Sequence, residues 1–145
     1  MMKCMLDTNI CIYIIKRKPV EAIERFRQLR ISQVCVSSIT LSELEYGVIK
    51  SSKPEQNHSA LAQFMAPIEI LPYGDAAAQH YGGLRVYLEK HGTPIGSLDM
   101  LIAAHALSTG CILITNNVKE FERAPNLEID NWVKQSPVEM RYPRS

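Results

Sequence analysis

Short runs of apolar and β-branched residues alternate with longer segments of helical character along most of this 145-residue chain. Strands that alternate with helices build a parallel sheet with helices on both faces. We therefore predict an α/β fold, a three-layer α/β/α sandwich whose central, mainly parallel sheet has four to five strands. Strands are predicted over residues 2–6, 34–36, 68–71 and 111–115, with a short edge strand over 127–129.

The stretches between these strands carry apolar residues at helical spacing. A single domain over residues 1–133 accounts for all of the elements, and Trp132 is expected to pack back on its core. From Lys134 onward two prolines, mixed charges and little apolar pattern predict a loosely ordered tail over residues 134–145. Helices are predicted over residues 8–15, 20–30, 39–50, 58–65, 75–91 and 97–107, and the polar stretch 51–57, with Pro54, is either a loop or a helix start.

The formal net charge of the chain is only +1. Proteins that hold nucleic acid mainly by neutralising phosphates carry a clear basic excess. A nucleic-acid role for this chain would therefore depend on local basic patches, on a metal ion or on a partner chain. The candidate backbone contacts, each of which is otherwise a solvated surface charge, are Lys16, Arg17, Lys18, Lys50 and Lys53.

The four cysteines lie among apolar neighbours, and no two of them form a C-x-x-C pair. Zinc sites need such close ligand pairs, so we predict buried thiols in a reduced cytosol. No apolar run approaches the ~20 residues needed to cross a bilayer. No signal peptide is recognisable either, and we expect a cytoplasmic protein with no membrane partner.

Oxygen-bearing side chains occur where predicted strands end or helices begin. Asp7 follows the first strand, and Glu43 lies in the first turns of the helix after the second. Asp99 lies just inside the helix before the fourth strand, and Asn117 follows that strand. Ligands of open parallel sheets gather at the carboxyl ends of the strands, so these side chains are expected to converge. Mg²⁺ takes oxygen ligands and often needs only one or two carboxylates.

Each of these residues also has a purely structural interpretation. Asp7 suits an N-cap, and Asp99 near a helix start is favoured by the helix dipole. Glu43 could close a capping box with Thr40, and Asn117 could be a simple turn residue. The apolar helix that follows Asp99 favours the functional interpretation, because a carboxylate at the mouth of a buried helix is costly to desolvate unless it is paired or binds a metal.

Three further polar residues are given supporting roles. His105, six residues beyond Asp99, is interpreted as a hydrogen-bonded core or interface histidine rather than a metal ligand. Thr8 and Thr115 are expected to orient Asp7 and the turn backbone by hydrogen bonds. The chain has no Gly-rich phosphate-binding loop and no nucleophile elbow, so other common catalytic motifs are absent from the sequence.

Four short motifs occur in order along the chain. They are Met5-Leu6-Asp7-Thr8-Asn9; Thr40-x-x-Glu43-Leu44 with Tyr46-Gly47; Gly92-x-Pro94-Ile95-Gly96-x-x-Asp99-x-x-Ile102-Ala103-Ala104-His105-Ala106; and Thr115-Asn116-Asn117-x-x-Glu120-Phe121 before Trp132. Together they resemble the motifs of PIN-domain ribonucleases, in particular the VapC toxins of bacterial toxin–antitoxin pairs. The resemblance runs from residue 2 to about 133, nearly the whole chain.

The resemblance implies an α/β/α sandwich that hydrolyses RNA phosphodiester bonds with Mg²⁺ or Mn²⁺, and we take a tRNA loop as the expected target. It also implies a homodimer and a VapB-type antitoxin whose C-terminal segment lies across the active-site groove. A larger hetero-oligomer with the antitoxin is an alternative assembly, and contact with operator DNA is expected only through the antitoxin.

The acidic positions of the family map onto Asp7, Glu43 and Asp99. Asp7 and Asp99 would hold the metal, and Glu43 would position or deprotonate the attacking water. The fourth family position, often Asp, is Asn117 here, where a neutral amide would orient the phosphate or a metal-bound water. Glu120, one turn further on, is a candidate replacement for the missing acid.

Two other functions are compatible with parts of the sequence. A catalytically weak PIN-fold binding module would act only through partner or nucleic-acid binding, and the missing fourth acid favours it. A phosphotransferase of the haloacid-dehalogenase type would use a strand-end Asp as its nucleophile. That family needs a second Asp two residues later, where this chain has Asn9.

Overall fold

The computed structural model describes residues 2–133. Its centre is a five-stranded sheet in which every pair of neighbouring strands is parallel, in the order β3-β2-β1-β4-β5. The predicted sandwich and its parallel sheet are therefore confirmed. The strands are β1 (Cys4–Leu6), β2 (Val34–Ser37), β3 (Glu69–Leu71), β4 (Ile112–Ile114) and β5 (Ile129–Asp130).

The central strand β1 is paired on both sides, with Cys4 opposite Val34 of β2 and opposite Ile112 of β4. The chain first builds the sheet outward from β1 through β2 to β3, then returns to add β4 and β5 on the other side. The strand order thus reverses between β1 and β4. Crevices at such a switch point, outside the carboxyl ends of the strands, are where open α/β sheets bind ligands.

Seven α-helices cover the sheet within the described residues, and each face has its own apolar core. On one face Leu6 and Val36 pack with Ile10, Ile14 and Leu61. The helices are α1 (Thr8–Lys16), α2 (Val20–Arg27), α3 (Ser38–Lys50), α4 (Pro54–Met65), α5 (Asp75–His91), α6 (Ser97–Thr109) and α7 (Val118–Phe121).

The opposite face of the sheet packs against α5, α6 and α7. Met5 and Leu113 of the sheet lie in a cluster with Leu84, Leu88 and Ile102. Helix α6 is buried along residues 102–106, as its apolar sequence predicts, and it ends at Gly110, whose φ of 68° is the left-handed conformation of a helix C-cap. Because α6 is deeply buried, the position of Asp99 near its start is fixed.

The predicted end of α2 is wrong, and the structure decides where α4 begins. Helix α2 ends at Arg27, three residues earlier than predicted, because a separate 3₁₀ turn (Ile31–Gln33) leads into β2. Helix α4 begins at Pro54, so the stretch 51–57 contains a helix start, one of the two alternatives that its sequence allows; proline suits the first turn of a helix, where its missing N–H leaves no bond unmade. The loosely ordered tail predicted for residues 134–145 lies outside the described residues.

The predicted burial of Trp132 and of all four cysteine thiols is confirmed. The sequence did not predict that the Sγ atoms of Cys35 and Cys111 lie 3.8 Å apart in the core. Helices α1 to α7 are all too short or too polar for any of them to cross a bilayer, within the part of the chain that the structure describes.

Candidate active site

Asp7 lies at the carboxyl end of β1 and is 95% buried, with 5% of its surface exposed. Its backbone N–H donates to the Ile114 carbonyl of β4, so the residue is held at the switch point. Its Oδ1 accepts from the Ile10 amide at 3.0 Å, which confirms that Asp7 caps α1, and its carboxylate also accepts from the Thr115 hydroxyl. Burial nevertheless raises the pKa of Asp7 from 3.8 to about 6, and the Glu43 charge adds to the rise.

Glu43 lies on α3, six residues beyond the Ser37 N-cap, and faces the start of α1. The Thr8 hydroxyl donates to Glu43 Oε1 at 2.6 Å. Thr8 was expected to orient Asp7, and that expectation is wrong, because its hydroxyl serves Glu43 instead. The proposed capping box between Thr40 and Glu43 is wrong as well, because the cap of α3 is Ser37, which accepts from the Ile39 amide.

Asp99 is the third residue of α6 and is partly buried. Burial raises the pKa of Asp99 to about 6, and the negative charges of Glu120, Asp7 and Glu43 raise it further. The structure thus brings the three predicted carboxylates close enough that the charge of Glu43 opposes the ionisation of Asp7 and of Asp99. A desolvated group of like charges is unfavourable on its own, and a cation would relieve it.

Asn117 carries no charge, and its hydrogen bonds are made to Thr115 and Glu120. Its backbone N–H donates to Thr115 Oγ1 at 2.9 Å, and its Nδ2 donates to Glu120 Oε2 at 3.0 Å. Asn117 therefore holds Glu120, and Glu120 supplies the fourth carboxylate of the group. The charge of Glu120 acts directly on Asp99, and the replacement of the missing acid by Glu120 stays a prediction.

Glu120 is hydrogen-bonded to residues at the start of α6. Its Oε1 accepts from the Gly96 amide at 2.5 Å, just before α6, and its carboxylate shares a hydrogen bond with Asp99. The Gly96 amide is the main reason that the pKa of Glu120 is lowered. A Cβ at Gly96 would lie 3.3 Å from Glu120 Oε1, so glycine permits this close approach.

The donor set suits a hard divalent cation. Four carboxylates and one amide oxygen supply oxygen ligands, and the charges acting on Asp7 and Asp99 are negative. No three His, Cys, Asp or Glu side chains among residues 2–133 already form a closed ligand group. Mg²⁺ keeps several waters and often needs only one or two carboxylates, so its binding does not require a closed group of three such side chains.

An apolar groove of about 240 Å³ lies between α1, α3 and α4 and includes Glu43 in its lining. Lys16, one of the candidate basic residues, also lines the groove, together with Ile12, Leu44 and Val48. Arg17 lines a separate groove that faces α2 and α4, while the Lys50 ammonium lies 5.6 Å from the centre of the Tyr46 ring.

The predicted core role of His105 is confirmed: the side chain is buried, and its Nδ1 lies 2.7 Å from Ser37 Oγ. Sequence reasoning missed the Thr8–Glu43 and Glu120–Gly96 bonds. Their partners are 35 and 24 residues apart, and no local pattern signals such pairs.

Comparison with known proteins places these features in a family. The PIN domain family matches residues 4–127. The chain is 48% identical to the "tRNA(fMet)-specific endonuclease VapC" of Salmonella typhimurium over 91% of this chain and 99% of that protein. It is 49% identical to the "Ribonuclease VapC2" of Haemophilus influenzae over 92% of this chain and 100% of that protein.

The solved structure of VapBC2 from Rickettsia felis, bound to a DNA fragment from its promoter, superposes with a TM-score of 0.85 at 44% identity. The match covers 90% of this chain and 99% of that chain. The PIN family match covers most of the range 2–133 over which the sequence motifs occur. The relatives are matched over nearly their whole length. This chain therefore belongs to the VapC family of PIN-domain proteins.

Proposed function

We propose that this chain is the toxin of a toxin–antitoxin pair and acts as a Mg²⁺-dependent endoribonuclease, with Mn²⁺ as an alternative cofactor. One observation carries the proposal. Two carboxyl groups at the switch point of the sheet, Asp7 and Asp99, both have a pKa of about 6 because they are buried and face further carboxylates. Such a group is poised to bind a cation, and perturbed carboxyls of this kind are typical of functional sites.

Asp7 and Asp99 would hold the metal, directly or through water. A bound Mg²⁺ supplies Lewis-acid polarisation of the scissile phosphate and a water of lowered pKa. Asp7 is well suited to this task, since the Ile10 amide and the Thr115 hydroxyl orient its carboxylate. Asp99 is oriented by its place in the first turn of the buried helix α6.

Glu43 would position the attacking water or accept its proton. A carboxylate has about four acceptor positions, so the hydrogen bond from Thr8 leaves capacity for a water. Glu120, which accepts hydrogen bonds from Asn117 and Gly96, would add a further negative charge to the site. In this proposal Asn117 acts through Glu120 and also orients the phosphate or a metal-bound water with its amide.

The substrate we propose is RNA, cut within a tRNA loop. The Salmonella typhimurium relative is named a tRNA(fMet)-specific endonuclease and shares 48% identity with this chain, so initiator tRNA is the first candidate. Lys16 lines the same apolar groove as Glu43, and we propose that it contacts the RNA backbone near the cut.

The partner we propose is a VapB-type antitoxin that covers the active site. The apolar groove includes Glu43 in its lining, so a peptide seated there would block the approach of RNA to the carboxylates. The Rickettsia felis structure contains VapBC2 bound to a DNA fragment from the promoter. We accordingly propose contact with operator DNA through the antitoxin, a homodimer of this chain within a larger assembly, and action in the cytoplasm.

The proposal is tested with purified chain and in-vitro-transcribed initiator and elongator methionine tRNAs. We expect cleavage in Mg²⁺, with strong loss in EDTA and in Asp7→Asn, and faster cleavage of the initiator tRNA. Sequencing of the cut ends identifies the bond. Equal cleavage in all three conditions would indicate a contaminating nuclease and reject the assignment, whereas no cleavage under any condition would favour a non-catalytic binding module.

A further inference from the structure

His105 is a buried titratable side chain that lies away from the carboxylates. It belongs to α6, six residues beyond Asp99, and contacts Ser37, the N-cap of α3. Glu43 lies six residues beyond Ser37 on that helix. At 1.5 Å per residue, the contact lies about 9 Å along each helix from the carboxylate that the helix carries.

The hydrogen bonds around His105 define its protonation state. Ser37 Oγ accepts from the Ile39 amide at 3.0 Å, so its own hydroxyl hydrogen can be donated to Nδ1 of His105. The ring also bonds to the Pro72 backbone, where only the carbonyl is present as a partner because proline has no N–H. Nε2 must then carry the hydrogen, and the imidazole is neutral with Nδ1 as an acceptor.

The same contacts join three segments of the fold. His105 links α6 to the N-cap of α3 and to the loop after β3, where Tyr73 packs its ring edge-on against the imidazole at 5.5 Å. The Tyr73 amide in turn donates to Ser38 Oγ at 3.0 Å. Burial lowers the pKa of His105, which favours the neutral ring. A fully satisfied buried polar network of this kind rigidifies the elements that it connects.

We propose that His105 is a positioning residue: it ties α6 to the start of α3 and so sets the separation of Asp99 and Glu43. The inference rests on the proposed ribonuclease function, in which those carboxylates act together. Its effect is expected on turnover rather than on RNA binding, because a displaced catalytic carboxylate lowers the rate of the chemical step.

Two substitutions separate the two hydrogen bonds of the ring. His105→Asn retains an acceptor near Nδ1 and therefore the bond from Ser37, but it is too short to reach Pro72. His105→Gln places its amide near Nε2, which retains the bond to Pro72 and loses the bond from Ser37. The exposed His58 on α4 provides a matched control, His58→Gln.

The experiment measures kcat and KM for RNA cleavage in saturating Mg²⁺, together with the melting temperature of each variant. We expect His105→Gln to lower kcat by about tenfold to a hundredfold with KM nearly unchanged. His105→Asn and His58→Gln should stay within about threefold of the parent chain, since a well-positioned Glu43 is retained. If neither His105 variant folds, Ser37→Ala and Ser37→Thr make the same comparison from the other side of the bond.

Two measurements keep this inference separate from the proposed function. ¹⁵N NMR of the parent chain should show the neutral Nε2–H tautomer of His105, and the amide resonances of Glu43 and Asp99 should move in His105→Gln but not in His105→Asn. If the parent chain does not cleave RNA, the proposed function fails and these spectra still decide the positioning role. An Nδ1–H tautomer, unmoved amides, or equal kcat in the two variants would overturn it.

Discussion

The Thr8 hydroxyl donates a 2.6 Å hydrogen bond to Glu43 Oε1 and so links the first residue of α1 to the carboxylate of α3. Thr8 directly follows Asp7, the N-cap of the same helix. One short segment after β1 therefore supplies one carboxylate of the site and orients a second.

Thr8→Val tests that link. Valine has nearly the same shape but no hydroxyl, so Glu43 loses its donor while packing is retained. We expect kcat to fall by roughly tenfold, as for a partly exposed hydrogen bond to a carboxylate worth about 1.5 kcal/mol. The melting temperature should change little because the bond is only partly buried. Thr8→Ser keeps the hydroxyl and serves as the control; equal losses in the two variants would contradict a role for the hydrogen bond.

Asp7→Asn is expected to stabilise the metal-free chain while it abolishes activity. The Asp7 carboxylate is 95% buried and opposed by Glu43, and burial holds its pKa about two units above the unfolded value. Removing the charge should raise the free energy of unfolding at pH 7 by about 1–2 kcal/mol, because asparagine can still cap α1. Chemical denaturation with EDTA measures this. Loss of stability in Asp7→Asn would contradict a destabilising charge at this buried position.

Added Mg²⁺ should make the parent chain more stable than Asp7→Asn. A ligand that binds only the folded chain stabilises it by RT ln(1 + [L]/Kd), and Asp7→Asn removes a proposed ligand. The parent chain should therefore gain stability as Mg²⁺ is added, and Asp7→Asn should gain little. Asn9→Asp, which adds a carboxylate at an exposed neighbouring position, controls for non-specific binding of the cation.

The stability difference between Asp7→Asn and the parent chain should depend on pH. A carboxyl group whose pKa is raised on folding contributes stability below its unfolded pKa, and this contribution is lost as the pH rises through the folded value. For Asp7 the two values are 3.8 and about 6. The advantage of Asp7→Asn without metal should therefore shrink by about 1 kcal/mol between pH 7 and pH 5.

The pH dependence must be compared between the parent chain and Asp7→Asn, because His105 changes the stability of both chains with pH in the direction opposite to Asp7. Burial lowers the pKa of its imidazole, so its contribution to stability is present above the unfolded pKa and is lost as the pH falls through the folded value. His105 is the same in both chains, and its effect cancels in the difference. A difference in unfolding free energy that stays constant from pH 5 to pH 7 would show that the Asp7 pKa is not raised.

The parts of the site that the sequence predicted are those with local signals. Asp7 and Asp99 stand at junctions marked by an apolar run and a helix start, and the alternation of elements places both junctions at one edge of a parallel sheet. The Thr8–Glu43 bond could not be predicted, because it depends on the angle at which α1 and α3 pack. Boundaries such as the end of α2 at Arg27 are also set by packing rather than by local periodicity.

Glu120→Gln tests whether Glu120 supplies the charge that Asn117 lacks. Glutamine can still accept from the Gly96 amide and occupies the same space, so the fold should be retained. Loss of the charge removes a repulsion on Asp99, and the pKa of Asp99 should fall from about 6 towards its ordinary value. If Glu120 also helps to hold the cation, Mg²⁺ affinity measured by calorimetry should fall as well, by about tenfold.

Gly96→Ala separates the position of Glu120 from its charge. The backbone of Gly96, with a φ of −54°, accepts alanine, but the new Cβ would lie 3.3 Å from Glu120 Oε1 and push that carboxylate away. We expect activity to fall with little change in stability, and the two substitutions to be non-additive in kcat because they act on the same carboxylate. Full additivity of Gly96→Ala and Glu120→Gln would indicate that Gly96 affects catalysis by another route, such as the start of α6.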